Sequence, residues 1–242
     1  MDHDTLLAHV RADHDRTQVA ATAAGLDAPV VTCGDWTVRD LVEHLSLVYR
    51  HKVACIELQA EPEPWPPPDR HVGDPLVELD AAHERLQEVL GSHAPGDPAW
   101  TWEESDRTVG FWVRRMAHET AVHRADAELA AGTTPVVDAA LAADGVDELL
   151  RVFAEGDWSD VPQPGPATTV VLHVPGRAWT VRSTPDRLAV GDGADEAADA
   201  TVHADASDLL LWLWGRPHGE LAVDGAPDAA EALQRRLAVV TT

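Results

Sequence analysis

FWVRRMAHETAVHRADAELAA, residues 111–131, is the stretch from which the organisation of this chain can be read. It contains neither Gly nor Pro, is rich in Ala, Arg and Glu, and runs into Gly132, a residue that commonly ends helices. The pattern predicts a helix. At about 100° per residue, one face carries Trp112, Met116, Glu119, His123, Ala127 and Ala130. Glu119 and His123 therefore stand in the middle of an otherwise apolar stripe. A carboxylate buried without a partner costs several kcal/mol. Side chains four apart on a helix start roughly 6 Å from one another and can converge on one point. Two arrangements satisfy both groups: a shared divalent metal ion, or an inward Glu–His hydrogen bond.

His118 gives the stretch a superficial likeness to the zinc-protease helix, in which both histidines of H-E-x-x-H share one face at i, i+4. Here the run His118-Glu119-Thr120-Ala121-Val122-His123 holds one residue too many. The two histidines lie about 140° apart around the helix and cannot share an ion. The pair on a common face is Glu119 with His123.

Outward from this helix, the composition limits what the chain can do. Its 242 residues allow two modest domains or one large one. Lys and Arg number 18 against 42 Asp and Glu, a formal net charge of -24. Such a surface repels phosphate backbones and anionic lipid, so neither nucleic acid nor membrane is an expected partner, and an anionic ligand needs local cations. There is no run of about 18 apolar residues, and the start MDHDTLLAHV has no basic segment followed by an apolar one; a cytoplasmic protein is expected. Cys33 and Cys55 are too few for a disulfide scaffold. Cys55 falls in an apolar helix and reads as core. Cys33 precedes a turn, with no base beside it in sequence that would make it a nucleophile.

Five helices are predicted in the first two-thirds of the chain. Residues 4–24 place Leu6, Val10, Thr17 and Ala21 on one face, with Asp13 and His14 at its edges in solvent. Residues 37–59 follow a loop in which Asp35 or Thr37 can cap; Leu41, Leu45, Val48, Lys52 and Ile56 form the inward stripe, and His44 lies on its flank. By itself His44 reads as a core histidine. Residues 60–75, AEPEPWPPPDRHVGDP, cannot be helix and suggest a crossover or a lid. Residues 76–91 form a third helix through Leu76, Leu79, His83, Leu86 and Leu90. A loop with Trp100 and Trp102 leads to the fourth helix, and residues 138–154 form a fifth. Residues 155–166, EGDWSDVPQPGP, have the composition of a linker. Beyond them the pattern becomes β: strands at 168–174, 178–183, 187–190 and 200–204, a helix at 207–214, a strand at 220–223 and a closing helix at 227–239. The expected architecture is a helical bundle over 1–154, a linker over 155–166 and a small α+β domain over 167–242, roughly 75 residues and near the lower limit of what folds alone.

With the elements placed, the chain resembles a known family. GDWTVRDLVEHL at 34–45, MAHETAVHRADAELAAG at 116–132 and, less specifically, ALAADGVDELL at 140–150 are similar to the DinB-like metal-binding bundles of mycothiol-dependent maleylpyruvate isomerases. The C-terminal part is similar to the sterol-carrier-like domain that accompanies them. The resemblance implies a DinB-like four-helix bundle with an extra helix, followed by that α+β domain. It also implies a zinc site formed by a His of the second helix with a Glu and a His at i, i+4 on the fourth, here His44, Glu119 and His123. Two His and one carboxylate leave an open position on a tetrahedral ion, as catalytic zinc sites do, though the same set also suits ferrous iron. The family's implied use of that position is to bind the sulfur of mycothiol. A cation beside a thiol favours the nucleophilic thiolate, which would add to a cis double bond and be eliminated after rotation, or remain attached to an electrophile. The resemblance thus implies an isomerase or an S-transferase with a small-molecule electrophile and a low-molecular-weight thiol as partners; a monomer or weak homo-oligomer is expected. Arg216, Arg115 and Arg70 are the cations considered for substrate or thiol contact. The reading from another class is a non-catalytic protein that binds metal or an apolar ligand.

Overall fold

The computed structural model describes residues 1–65, 73–161 and 165–241. They divide into two compact units, residues 1–135 and 136–242.

The first unit is built on four helices: α1 (His3–Ala24), α2 (Val38–Leu58), α3 (Pro75–Gly91) and α4 (Val109–Ala130). Each begins at a side-chain cap, respectively Asp2, Thr37, Asp74 and Thr108. These residues satisfy amide groups that a helix start otherwise leaves open. Within the unit α1 packs on α4, and α2 on both α3 and α4. Its core comprises Val10, Leu41, Leu45, Tyr49, Ile56, Leu79, Leu86, Leu90, Trp112 and Met116, all buried. Gly110 allows α4 to start against the preceding loop: its N–H donates to the Pro95 carbonyl at 2.8 Å, and a Cβ there would lie 2.9 Å from that oxygen.

Asp13 and His14 depart from expectation. Both are buried, Asp13 against Arg124 at 2.9 Å and His14 against the ring of His83. Arg124 is fully buried and also reaches Glu128 at 2.7 Å, while Arg16 reaches Glu128 at 2.8 Å. This ion network locks α1 to α4, and removing one partner of such a network costs about 3–5 kcal/mol.

In the second unit, α5 (Ala139–Glu148) continues into a π-helical turn over Leu149–Ala154 and packs on α6 (Ala206–Leu213). The fifth helix thus belongs with the C-terminal unit, whereas the sequence reading counted it with the bundle and drew the boundary at 154. The sheet consists of β1 (Gly156–Asp157), β2 (Thr168–Val174), β3 (Arg177–Thr184), β4 (Arg187–Asp192), β5 (Ala200–His203) and β6 (Ala222–Gly225), in the order β1-β4-β3-β2-β5-β6. Among the described residues only the β2–β5 pair is parallel. The closing helix α7 (Pro227–Thr241) packs on β2 and β5. The first part of the stretch read as a linker is anchored: β1 pairs with β4, and buried Trp158 donates from its indole to the Ala154 carbonyl at 2.7 Å, while residues 162–164 lie outside the described residues. Among the described residues no helix is long and apolar enough to cross a membrane.

Candidate metal centre

Three features bring the site together. The α2 start is fixed by a capping box between Thr37 and Asp40, which sets the rotation of the helix and so the direction of His44, two turns later. The α4 stripe carries Glu119 and His123 one turn apart. The segment before α2 folds back on itself: the Val30 N–H donates to the Trp36 carbonyl at 2.8 Å, and Gly34 turns the chain at a φ of 65° that disfavours side chains. Trp36 is thereby held against His44, with ring centroids 5.0 Å apart, and at 6.4 Å from His123.

His44 Nε2 and His123 Nε2 each stand 3.3 Å from the same atom, Glu119 Oε1. The imidazoles meet edge-on, with centroids 5.0 Å apart and planes at 73°. One ligand atom from each of the three residues falls within 4.8 Å of the others. At bond lengths of about 2.0–2.1 Å, ligands of a tetrahedral ion sit roughly 3.3 Å apart. The spacing of each imidazole nitrogen from the carboxylate oxygen is therefore the spacing that an ion would impose.

The surroundings fix each ligand. Glu119 Oε2 accepts from Arg115 at 2.9 Å, leaving Oε1 to face the histidines. His123 Nδ1 lies 3.1 Å from Asp126 Oδ2, and Asp126 is fully buried. Asp126 in turn accepts from the Thr32 hydroxyl at 2.6 Å and the Cys33 thiol at 3.5 Å. A carboxylate on Nδ1 holds a proton there and leaves Nε2 facing the site, where it donates to Glu119 while the ring is charged and would offer its lone pair to a bound ion, the usual support of a metal-bound histidine. Burial works against charge on both Glu119 and His123, yet their partners outweigh it. Hydrogen bonds from His123 and His44, with Arg115 beside them, hold the Glu119 carboxyl well below its usual range. Asp126, then Cys33 and Glu119, hold the His123 imidazole well above its usual range. The pocket thus favours a positive charge where His123 and Glu119 meet, and the donor set fits a divalent ion.

Of the residues singled out in the sequence, His44, Glu119 and His123 come together, and His118 is not part of the converging group. Arg115 is buried on Glu119, not spread on the surface. Arg216 is buried in the second unit, where it donates to the carbonyls of Trp214 at 2.6 Å and Thr241 at 3.4 Å. Arg70 lies outside the described residues. The sequence does not single out Asp126, Trp36 or Thr32, and it shows no neighbour that would activate Cys33. Only Asp126 carried a local signal, standing three residues beyond His123 on the same side of the helix.

Two family models match the chain: the mycothiol maleylpyruvate isomerase N-terminal domain over residues 7–128, and the MDMPI C-terminal domain over residues 140–232. The second begins within α5, on the same side of the division as the structure puts that helix. Comparison with curated proteins returns no match. Among solved structures, a crystal structure of the mycothiol-dependent maleylpyruvate isomerase has a TM-score of 0.64 at 12% identity, with 93% of each chain covered. That of a histidine-to-alanine mutant of the isomerase has a TM-score of 0.63, with the same identity and coverage. At this identity the likeness establishes a shared fold, a helical N-terminal domain followed by an α+β domain. The family models reach further, and by them the chain belongs to the mycothiol-dependent maleylpyruvate isomerase family of enzymes.

Proposed function

We propose that this protein is a metal- and mycothiol-dependent cytoplasmic enzyme, an isomerase or S-transferase acting on a small electrophile, whose divalent ion, zinc in the first instance, is held by His44, Glu119 and His123. The observation that carries this reading is the convergence of two imidazole Nε2 atoms on one carboxylate oxygen at 3.3 Å. A bound divalent ion with an open position supplies Lewis acidity that favours the thiolate form of a thiol cosubstrate.

The chain's own residues supply the rest. Arg115 holds the Glu119 carboxylate in one orientation and balances its charge. Asp126 keeps the His123 proton on Nδ1, with Thr32 and Cys33 fixing Asp126 in turn. Trp36 lies against both imidazoles and keeps water from that side. The arrangement is preorganised, so little reorganisation accompanies the arrival of a thiol. Addition and elimination at a double bond begin as S-transfer does, with a thiolate, so the same residues serve either outcome.

The test is turnover by zinc-loaded protein supplied with mycothiol and maleylpyruvate, and in parallel with a panel of alkylating electrophiles. Turnover that needs both thiol and metal and disappears in His44→Ala is the expected result. Turnover unchanged after the metal is stripped would contradict the proposal.

A further inference from the structure

Along the seam between α2 and α4, His44 meets Glu119 at one level, and two turns further along α2 Lys52 meets Trp112. The Lys52 ammonium lies 4.8 Å from the ring centroid of Trp112, 5.4 Å from that of Trp65 and 5.6 Å from that of Trp102. Trp112 is fully buried and forms the floor, whereas Trp65 and Trp102 are 45% and 42% exposed and form an open rim. Trp65 also walls an open cavity of about 540 Å³ together with Glu61, Pro62, Glu63 and Pro64.

Among the described residues the ammonium has no carboxylate counter-ion in contact with it. Its polar neighbour is His51 Nδ1 at 3.1 Å, and no carboxylate of the described residues stands within ion-pairing distance. In so acidic a chain, a lysine that pairs with no carboxylate of the described residues is unexpected. Indole faces attract a cation but do not neutralise it, and burial disfavours the charge, shifting the Lys52 pKa downward. Cys55, Glu119 and Glu61 favour its charge from longer range, and Arg115 opposes them, without offsetting the burial.

From this geometry we propose that Lys52, caged by Trp65, Trp102 and Trp112, is an anion subsite that binds a carboxylate of the substrate, with the indole rim enclosing the carbon skeleton beside it. The assignment rests on the reading of His44, Glu119 and His123 as the reacting end of the same site. A ligand carboxylate supplies a counter-ion and forms a charge-assisted hydrogen bond in a partly desolvated place, where such bonds are strongest. It also gives this strongly acidic protein a local means of accepting an anion.

Binding of maleate, followed by tryptophan fluorescence in protein stripped of metal with a chelator, tests the subsite separately from the metal centre. Wild type is expected to titrate saturably. The affinity should fall about tenfold in Lys52→Met, the equivalent of one lost charge-assisted bond, stay within about threefold in Lys52→Arg, and weaken as salt is raised. Lys52→Gln provides a second neutral variant should the methionine protein fail to fold. Equal affinity in wild type and the neutral variants, or no titration of wild type, would overturn the proposal and assign Lys52 to holding the tryptophan loops. Zinc content of the same proteins keeps the two readings apart. Maleate binding by a protein that takes up no zinc supports the subsite while contradicting the thiol enzyme, and zinc uptake without maleate binding does the reverse.

Discussion

Among its described residues the first unit contains two groups with the same composition, two histidines and one carboxylate, and only one of them is arranged around a point. His44, Glu119 and His123 meet edge-on, both imidazoles directing Nε2 to one oxygen. His14, Asp80 and His83 join α1 to α3, and their ligand atoms also fall within 4.8 Å of one another. There, however, the imidazoles lie face to face, with centroids 3.7 Å apart and planes at 6°. Imidazole lone pairs lie in the ring plane, so two stacked rings direct theirs within parallel planes and cannot both point at one ion without tilting. His14 Nε2 instead bonds Asp80 at 3.2 Å, and the stack serves as packing. Counting histidines and carboxylates within reach therefore does not identify a metal site; the angle between the rings does.

The largest effect that would sharpen this contrast is at Glu119. Glu119→Gln keeps the shape but removes the charge facing both histidines and Arg115, and metal affinity measured by chelator competition should fall by more than about a hundredfold, beyond what loss of a supporting group costs. Asp126→Asn comes next, with an expected loss of 10- to 100-fold as the His123 ring loses its orienting carboxylate. An unchanged affinity in Asp126→Asn would show that α4 alone orients the ring.

The stacked pair should answer to protons and not to metal. Burial, with His14 beside it, holds His83 down to about 3, and burial likewise lowers His14 against the pull of Asp80 and Asp15. Arg11 adds to the depression of His83, and Tyr49 lies against its ring. The folded pKa values are depressed, so the unfolded chain takes up protons first. The contribution is then fully present above the unfolded value near 6.5 and is lost as pH falls from there toward 3. Urea unfolding at pH 7.5 and 5.5 should show a loss of about 1 kcal/mol from His83, and the loss should shrink in His83→Leu. Identical stability loss in that variant would remove the stack from the account. The smallest effect is expected at exposed Asp80: Asp80→Asn should leave metal content unchanged and alter stability by no more than about 0.5 kcal/mol. A drop in metal content there would erase the distinction between the two groups.

Much of this was readable in the sequence. The period of residues 111–131 predicts α4 and puts Glu119 and His123 on one inward face; in the structure the two share a face and converge with His44, but both stay partly exposed at the site. His44 was readable only through the family resemblance, because a single histidine on a helix flank has no distinguishing period. The supporting groups were hidden for another reason. Thr32 and Cys33 reach Asp126 across 94 and 93 residues of chain, and Lys52 reaches Trp112 across two helices, so only tertiary packing brings them together. The apolar period placed Lys52 on an inward stripe, but no helical period reveals that the neighbouring loops contribute Trp65 and Trp102. The shift in composition near residue 155 marked the change from helix to strand, yet α5 packs on α6, and β1 is too short to carry a strand pattern. A change of secondary structure need not be a change of domain.

The most direct test is metal content by elemental analysis of untagged protein after exposure to zinc, comparing wild type, His123→Ala and His83→Ala. One ion per chain in wild type and in His83→Ala, and none in His123→Ala, is the predicted result. Metal retained by His123→Ala, or absent from wild type, would contradict the assignment of His44, Glu119 and His123 as the metal centre.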